Sequence, residues 1–251
     1  MGHAPETLEG WYALHDIRRF DWTSWRALPL NDRAAALSEA VEFFTRAERV
    51  DDAPEGSSAL FTVLGHKGDL LVLHFRPTLE ALHALETGLA RLALARYLTP
   101  ASSFVSVVEL SQHAAGPGSG PLPPEVQAQL ERRLKPAVPP TRYVCFYPMN
   151  KRRGEQVNWF TLPPAERAEL MKGHGMTGRK YAGKVVQVIT GAMGLDDWEW
   201  GVTLFADDPL QFKKLVYEMR FDEVSARYAE FGPFVVGLRV HPRSLPEHLA
   251  L

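Results

Sequence analysis

The chain has 251 residues, with 28 Lys+Arg against 30 Asp+Glu for a net charge of −2, and 45% of its residues are hydrophobic. That composition excludes disordered, collagen-like and coiled-coil classes and leaves no basic excess to hold nucleic acid or an anionic membrane surface. The one cysteine, Cys145, excludes an internal disulfide framework and any zinc site built from several thiolates.

The first residues, Met1 to Glu6, show no basic region followed by an apolar one, and no apolar stretch approaches the ~18–20 residues of a membrane helix. A cytoplasmic protein without membrane insertion is expected. Trp11–Ile17 reads as a strand, and Trp25-Arg26-Ala27-Leu28-Pro29 followed by Arg33 leads into a helical pattern. Ala59–Leu64 and Leu70–Phe75 are strand-like runs around the turn Gly65–Asp69; a helix and a last strand, Phe104–Leu110, follow. Ala114–Pro124 (AAGPGSGPLPP) and Ala137–Pro140 (AVPP) are too rich in Pro and Gly for helix or sheet and read as a connector, with the helix-compatible Glu125–Lys135 between them. The expected division is a half at 1–113, a connector at 114–140 and a second half at 141–251.

The second half repeats the order of the first. Strand-like Tyr143–Met149 precedes Trp159-Phe160-Thr161-Leu162-Pro163 and Arg167, so both halves carry W-x-x-L-P-x-x-x-R. A helical run Pro164–Lys172, strands Val185–Thr190 and Trp198–Phe205, another helix and the strand Phe234–Val240 complete it. Trp198, Trp200, Val202 and Leu204 alternate with Glu199, Gly201 and Thr203, the pattern of a strand with one covered face. Asp208-Pro209 opens a helix with the stripe Phe212, Leu215, Val216, Met219. Each half is β-α-β-β-α-β, the ferredoxin-like split βαβ order. The fold class predicted is α+β: two ferredoxin-like halves packed into one body.

Few residues stand out chemically. Tyr147-Pro148-Met149-Asn150-Lys151-Arg152-Arg153 puts a phenol, an amide and three cations where a strand runs into a loop; a solvated basic loop after a core tyrosine is the plain alternative. Gly173-His174-Gly175 reads either as a helix terminus or as a ligand with room for a large planar group, and a single His fits haem better than zinc. Gln187 suits the exposed side of an alternating strand, and Arg220 and Ser225 suit a helix break. His113 next to the connector reads as solvated, and the other histidines form no readable constellation. No G-x-G-x-x-G, G-x-x-x-x-G-K-[ST] or G-x-S-x-G occurs in the right setting, so nucleotide and serine-hydrolase chemistry has no support.

The run YPMNKRR at Tyr147–Arg153, Asn158-Trp159, and the stretch from Gly173 through Ala206–Gly237 resemble the decarboxylase branch of the chlorite dismutase-like family. The likeness is dense from about Tyr143 to Val240 and loose over the first half. It implies a dimeric α+β barrel within one chain, a homopentameric ring, and porphyrin binding by the second half alone. The activity implied is the last step of a haem pathway: hydrogen peroxide-dependent removal of two propionate carboxyls from iron coproporphyrin III (coproheme), through a three-propionate intermediate, to haem b. By matching positions, His174 is the iron ligand and Tyr147 the catalytic residue, oxidised to a radical. Arg133, Pro148, Met149, Asn150, Lys151, Arg220 and Ser225 hold the propionates, and Gln187 stands where chlorite-degrading members carry an arginine. The His174–iron link is expected to be weak if nothing anionic contacts its other nitrogen. Coproporphyrin ferrochelatase is the partner implied by pathway. A non-catalytic haem carrier or sensor, and a chlorite dismutase-type haem peroxidase, are the competing functions.

Overall fold

The computed structural model describes residues 6–111 and 123–249; His113 and the connector stretch 114–122 lie outside the described residues. β1 (Thr7–Phe20) is followed by α1 (Trp22–Ala27), α2 (Leu30–Arg49), the hairpin β2 (Ser57–Leu64) and β3 (Leu70–Arg76), α3 (Leu79–Arg91) and β4 (Leu98–Ser111). After α4 (Pro124–Leu134) come β5 (Tyr143–Lys151), a 3-10 turn at Trp159–Thr161, α5 (Pro164–Arg179), and the strands β6 (Val186–Gly191) and β7 (Trp200–Ala206). The chain ends with α6 (Leu210–Met219), α7 (Glu223–Tyr228), β8 (Ala229–Phe231), β9 (Val235–Val240) and α8 (Leu245–Leu249).

The strands lie in the order β7-β6-β4-β1-β3-β2-β9-β5, and β5 also pairs with β7, so the sheet closes on itself. The first half contributes β4-β1-β3-β2 and the second β9-β5-β7-β6, one arrangement used twice. The joints are β4–β6 and β2–β9, both antiparallel. Each half alone would expose two strand edges; joining them leaves none around the barrel. This single closed sheet is the α+β barrel within one chain that the resemblance implies.

Strand alternation sends one set of side chains into the barrel and the other under the helices. Inside lie Ala13, Ile17, Phe61, Leu73, Phe75, Phe104, Val144, Phe146, Val188 and Phe205. Each large apolar side chain so buried contributes roughly 1.5–3 kcal/mol. Gly201 belongs there because a Cβ would lie 2.5 Å from the Phe104 ring. His15 also points inward, with Nε2 bonded to Thr203 Oγ1 at 2.8 Å and its ring stacked on Phe146 at 4.0 Å, tying the halves together. Burial holds its pKa down to about 3. Since Thr203 and Phe205 face this interior while Val202 and Leu204 face the helices, β7 is covered on both sides. The single covered face expected of this strand is corrected accordingly: closure of the barrel buries the side that alternation assigned to solvent.

The repeated W-x-x-L-P-x-x-x-R is a structural joint. In both copies a short helical turn carries the Trp, the Pro caps a long helix, and the Arg backbone N–H donates to that Pro carbonyl at 3.1 Å. The copies differ in use. Trp25 is fully buried and donates to the Leu249 carbonyl; Trp159 lies under a lysine of the second half. Below α2 the first half is filled by Ala36, Leu37, Ala40, Phe44 and Ala47. The corresponding helix α5 buries none of its residues.

Candidate functional site

The outer face of the second half of the barrel carries the residues singled out from sequence. Tyr147, Val202 and Leu204 belong to one buried cluster, with Met149, Val185 and Ile189 packed against it. α6 covers this cluster with Phe212 and Leu215, flanked by Val216 and Met219, as the stripe predicts. Asp208 Oδ1 accepts the Leu210 N–H at 3.0 Å and starts that helix.

Tyr147 owes its setting to a break in the sheet. β5 pairs with β9 through Tyr143–Phe146 and with β8 through Met149–Lys151. Pro148, which has no N–H to give, falls between the two partners. Its carbonyl accepts the Gly232 N–H at 2.8 Å, folding the β8–β9 link over Tyr147. The phenol ring stacks on Phe234 at 4.3 Å and lies 5.7 Å from Phe231. The Arg220 guanidinium sits 3.8 Å over the Phe231 ring. Burial pushes the Tyr147 pKa above the usual phenol range, with Cys145 adding to it and Arg220 opposing it. A hollow of about 430 Å³ opens between α6 and β9, with Cys145, Arg220 and Phe234, the ring stacked on Tyr147, in its walls.

Four residues beyond Tyr147 on β5, Lys151 is buried with Nζ 4.6 Å over the Trp159 ring. Burial pushes its pKa down to about 8, against the pull of Asp222 and Glu199. Its backbone N–H donates to Glu199 Oε2 at 2.8 Å. The Asn150 side chain accepts the Glu199 N–H at 2.8 Å, so that amide shapes the strand end.

His174 lies in mid-helix. α5 runs to Arg179, correcting the expected stop at Gly173; two interior glycines cost about 1 kcal/mol each relative to Ala and do not end the helix. A Cβ at Gly173 or Gly175 would meet nothing within 4 Å, so the helix is open around the imidazole. Nδ1 stands 2.6 Å from Asp222 Oδ2. Asp222 also caps α7 through the Val224 N–H at 3.0 Å and accepts the Ser225 hydroxyl at 3.0 Å. With the proton on Nδ1, the Nε2 lone pair is free to bind a metal. The anionic partner that was not legible in the sequence is thus Asp222, and the weak-ligand condition is not met.

Gln187 is exposed on β6, opposite Leu204, on the same face as Val185 and Ile189. Met149 and Asn150 are half-buried at the end of β5. Ser225 is buried, with its hydroxyl committed to Asp222. Arg133 is not drawn into this group. It is exposed in the last turn of α4, which packs on β1 and β4, and none of the bonds described for the site involves it. Sequence reading missed Asp222, Glu199, Phe231 and Phe234. Only Asp222 left a signal, a capping residue three before Ser225.

A flat macrocycle with carboxylate arms fits what is present. The helix bearing an imidazole with a free Nε2 buries no residue and makes its main helix contacts with α6 and α7. The strands offer an apolar floor, one uncharged amide and a cation at Lys151, and the end of α6 adds a second cation at Arg220. Among the described residues no group of three or more His, Cys, Asp or Glu could hold a metal ion.

The chlorite dismutase family pattern matches residues 33–240. The chain belongs to the chlorite dismutase family. It is 54% identical over 252 residues to the coproheme decarboxylases of two strains of Thermus thermophilus, covering 99% of each chain. Among solved structures, a haem-binding protein of T. thermophilus superposes with a TM-score of 0.90 at 52% identity over 100% of both chains. A chlorite dismutase variant from Candidatus Nitrospira defluvii superposes with a TM-score of 0.77 at 19% identity, covering 97% of this chain and 96% of the other; it shares the fold. The closed α+β barrel is accordingly the family architecture, and its two halves agree with the repeat read from sequence.

Proposed function

We propose that this family member is a hydrogen peroxide-dependent coproheme decarboxylase. The observation that carries the reading is the conjunction on one barrel face of a buried tyrosine, a buried lysine and a helical His–Asp pair, in a chain 54% identical to a coproheme decarboxylase. The substrate is coproheme, and its iron, once oxidised by peroxide, supplies the oxidising power.

His174 binds the iron through Nε2, and Asp222 fixes the ring and directs electron density toward that nitrogen. Four propionates carry about four negative charges near neutral pH, since carboxylates titrate near ~4. Lys151, Arg220, Asn150 and the backbone around Met149 hold them, while Ser225 acts on Asp222, and Arg133, exposed on α4, lies outside this group. Each charge-assisted bond contributes about 1.5–3 kcal/mol, roughly ten- to hundredfold in binding. Tyr147, protonated at every physiological pH, gives up an electron together with its phenolic proton. The resulting phenoxyl takes a hydrogen atom from the propionate carbon beside the ring. Loss of a second electron and of carbon dioxide leaves a vinyl group. Repetition at a second propionate gives haem b. Gln187 offers an uncharged amide in place of a cation that would hold an anionic oxidant such as chlorite.

The apolar residues Leu210, Tyr217 and Phe221 are exposed on and just after α6, which supports assembly into the ring of five carried by the same reading. Adding peroxide to the coproheme-loaded chain and separating the porphyrins tests the proposal: vinyl-bearing products are expected. A carrier or sensor would leave all four propionates intact, and a chlorite-degrading enzyme would instead release oxygen from chlorite.

A further inference from the structure

We propose that Glu199 is a positioning residue for Lys151, locking the end of β5 so that the lysine head stays over Trp159 and faces the substrate. The inference rests on the decarboxylase reading only for what Lys151 does, and on geometry for the lock itself.

The β5–β7 ladder ends at the pair Met149↔Trp200. The next pair in register would be Asn150 opposite Glu199, and there side chains replace the ladder. Glu199 Oε2 accepts the Lys151 N–H at 2.8 Å, and Asn150 Oδ1 accepts the Glu199 N–H at 2.8 Å. Two strand ends are thus clasped by reciprocal bonds. Glu199 is 6% exposed, and burying a carboxylate is costly unless it is paired. Its remaining oxygen faces Arg153 Nε at 3.5 Å, an ion pair whose arginine is largely in solvent. Hydrophobic packing would close a strand end without that penalty. What the carboxylate adds is a fixed acceptor for one particular N–H and a negative charge below a buried ammonium. On the other side β8 holds the same residue through Lys151↔Ala229. With the backbone gripped on both edges, the side chain has one course, across the face of Trp159. That ring is itself fixed against Tyr228 at 5.4 Å.

The test uses the full chain labelled with 13C-lysine. A methylene next to an ammonium on an indole face is displaced upfield by the ring current, and Lys151→Arg identifies the signal by its loss. Glu199→Ala is expected to move the Lys151 signal back toward the position of solvated lysines. Glu199→Gln, which keeps an acceptor for the N–H, is expected to leave it displaced. In turnover with coproheme and peroxide, Glu199→Ala should lower kcat about tenfold or more, Glu199→Gln should recover most of it, and Glu199→Ala should cost nothing further in a Lys151→Ala background. A displaced Lys151 signal in Glu199→Ala, or a full additional loss in the Lys151→Ala background, would overturn the assignment. If Glu199→Ala does not fold, an unmoved signal in Asn150→Ala, which removes the reciprocal half of the clasp, would equally overturn it. Absence of decarboxylation by the unaltered chain would sink the functional reading instead, and the lysine signal would still decide the clasp.

Discussion

Lys151 combines two demands that oppose each other. In the unfolded chain its amine titrates at its ordinary 10.5; in the fold, burial brings it to about 8. At pH 7 it is charged in both states, so the fold carries a desolvation cost of roughly 2–4 kcal/mol. That cost falls away as pH rises from about 8 to 10.5, where the folded form has already released its proton. Lys151→Met is therefore expected to raise the melting temperature of the coproheme-free chain at pH 7, with the gain shrinking above pH 8, while decarboxylation drops by at least tenfold. Thermal melts at pH 7 and pH 9.5 check both signs. Asp222 is a second residue with more than one task, since it caps α7, holds Ser225 and orients His174. Asp222→Asn should weaken iron ligation by about 10–100-fold, read from the ferric coproheme spectrum. Tyr147, Lys151 and His174 stand out in the sequence only as candidates beside plainer readings, a solvated loop after a core tyrosine and a helix terminus, and their roles come from the family resemblance. Asp222 and Glu199 do not stand out, since a carboxylate gives the same one-letter signal whether it caps a helix in water or clasps a strand in the interior.

The element that makes the site is α5. Its sequence is close to featureless for amphipathicity, so local pattern predicts an end at the first glycine. The helix continues because its glycines are tolerated where nothing else competes for the backbone. What they leave is space. Gly173→Ala and Gly175→Ala are each expected to stabilise the coproheme-free chain by about 0.5–1 kcal/mol, and to lower coproheme affinity by narrowing the room around His174. Urea titration with and without coproheme separates the two effects. β5 teaches the complementary lesson. A proline inside an apolar strand argues against a central strand, yet β5 is central. The hydrogen-bond gap at Pro148 coincides with the change of partner from β9 to β8, a long-range arrangement that no local pattern encodes.

At the scale of the molecule, duplication was the most legible property, because each half repeats its own element order and its Trp–Pro joint. Closure of the barrel was implied by the family resemblance and not by any local pattern, since edge pairings such as β4–β6 and β2–β9 depend on matching strand ends far apart in the chain. Polar residues are buried on both faces of the sheet: His15 points into the barrel, and His74 lies on the helix-covered face with Leu70 and Val72. His15 and His74 are wholly buried, with pKa values brought down to about 3, mainly by burial. They stay neutral in the fold while the unfolded chain protonates them near 6.5, so their contribution is complete above that pH and is lost as pH falls toward 3. Stability is thus expected to decline by a few kcal/mol from pH 6.5 to 4, and the decline should be shallower in His15→Phe, measured by denaturant unfolding across that range. In solution the assembled particle should weigh about five times 28.1 kDa, and light scattering of Phe221→Glu should show smaller species if the exposed α6 surface lies between subunits. The central claim, that a buried phenol strips two propionates from an iron porphyrin held by His174, meets its most direct test in mass spectrometry of the porphyrin after peroxide addition. The unaltered chain should yield two successive carboxyl losses while Tyr147→Phe retains bound coproheme with all four propionates. Four intact propionates from the unaltered chain, or normal product from Tyr147→Phe, would contradict it.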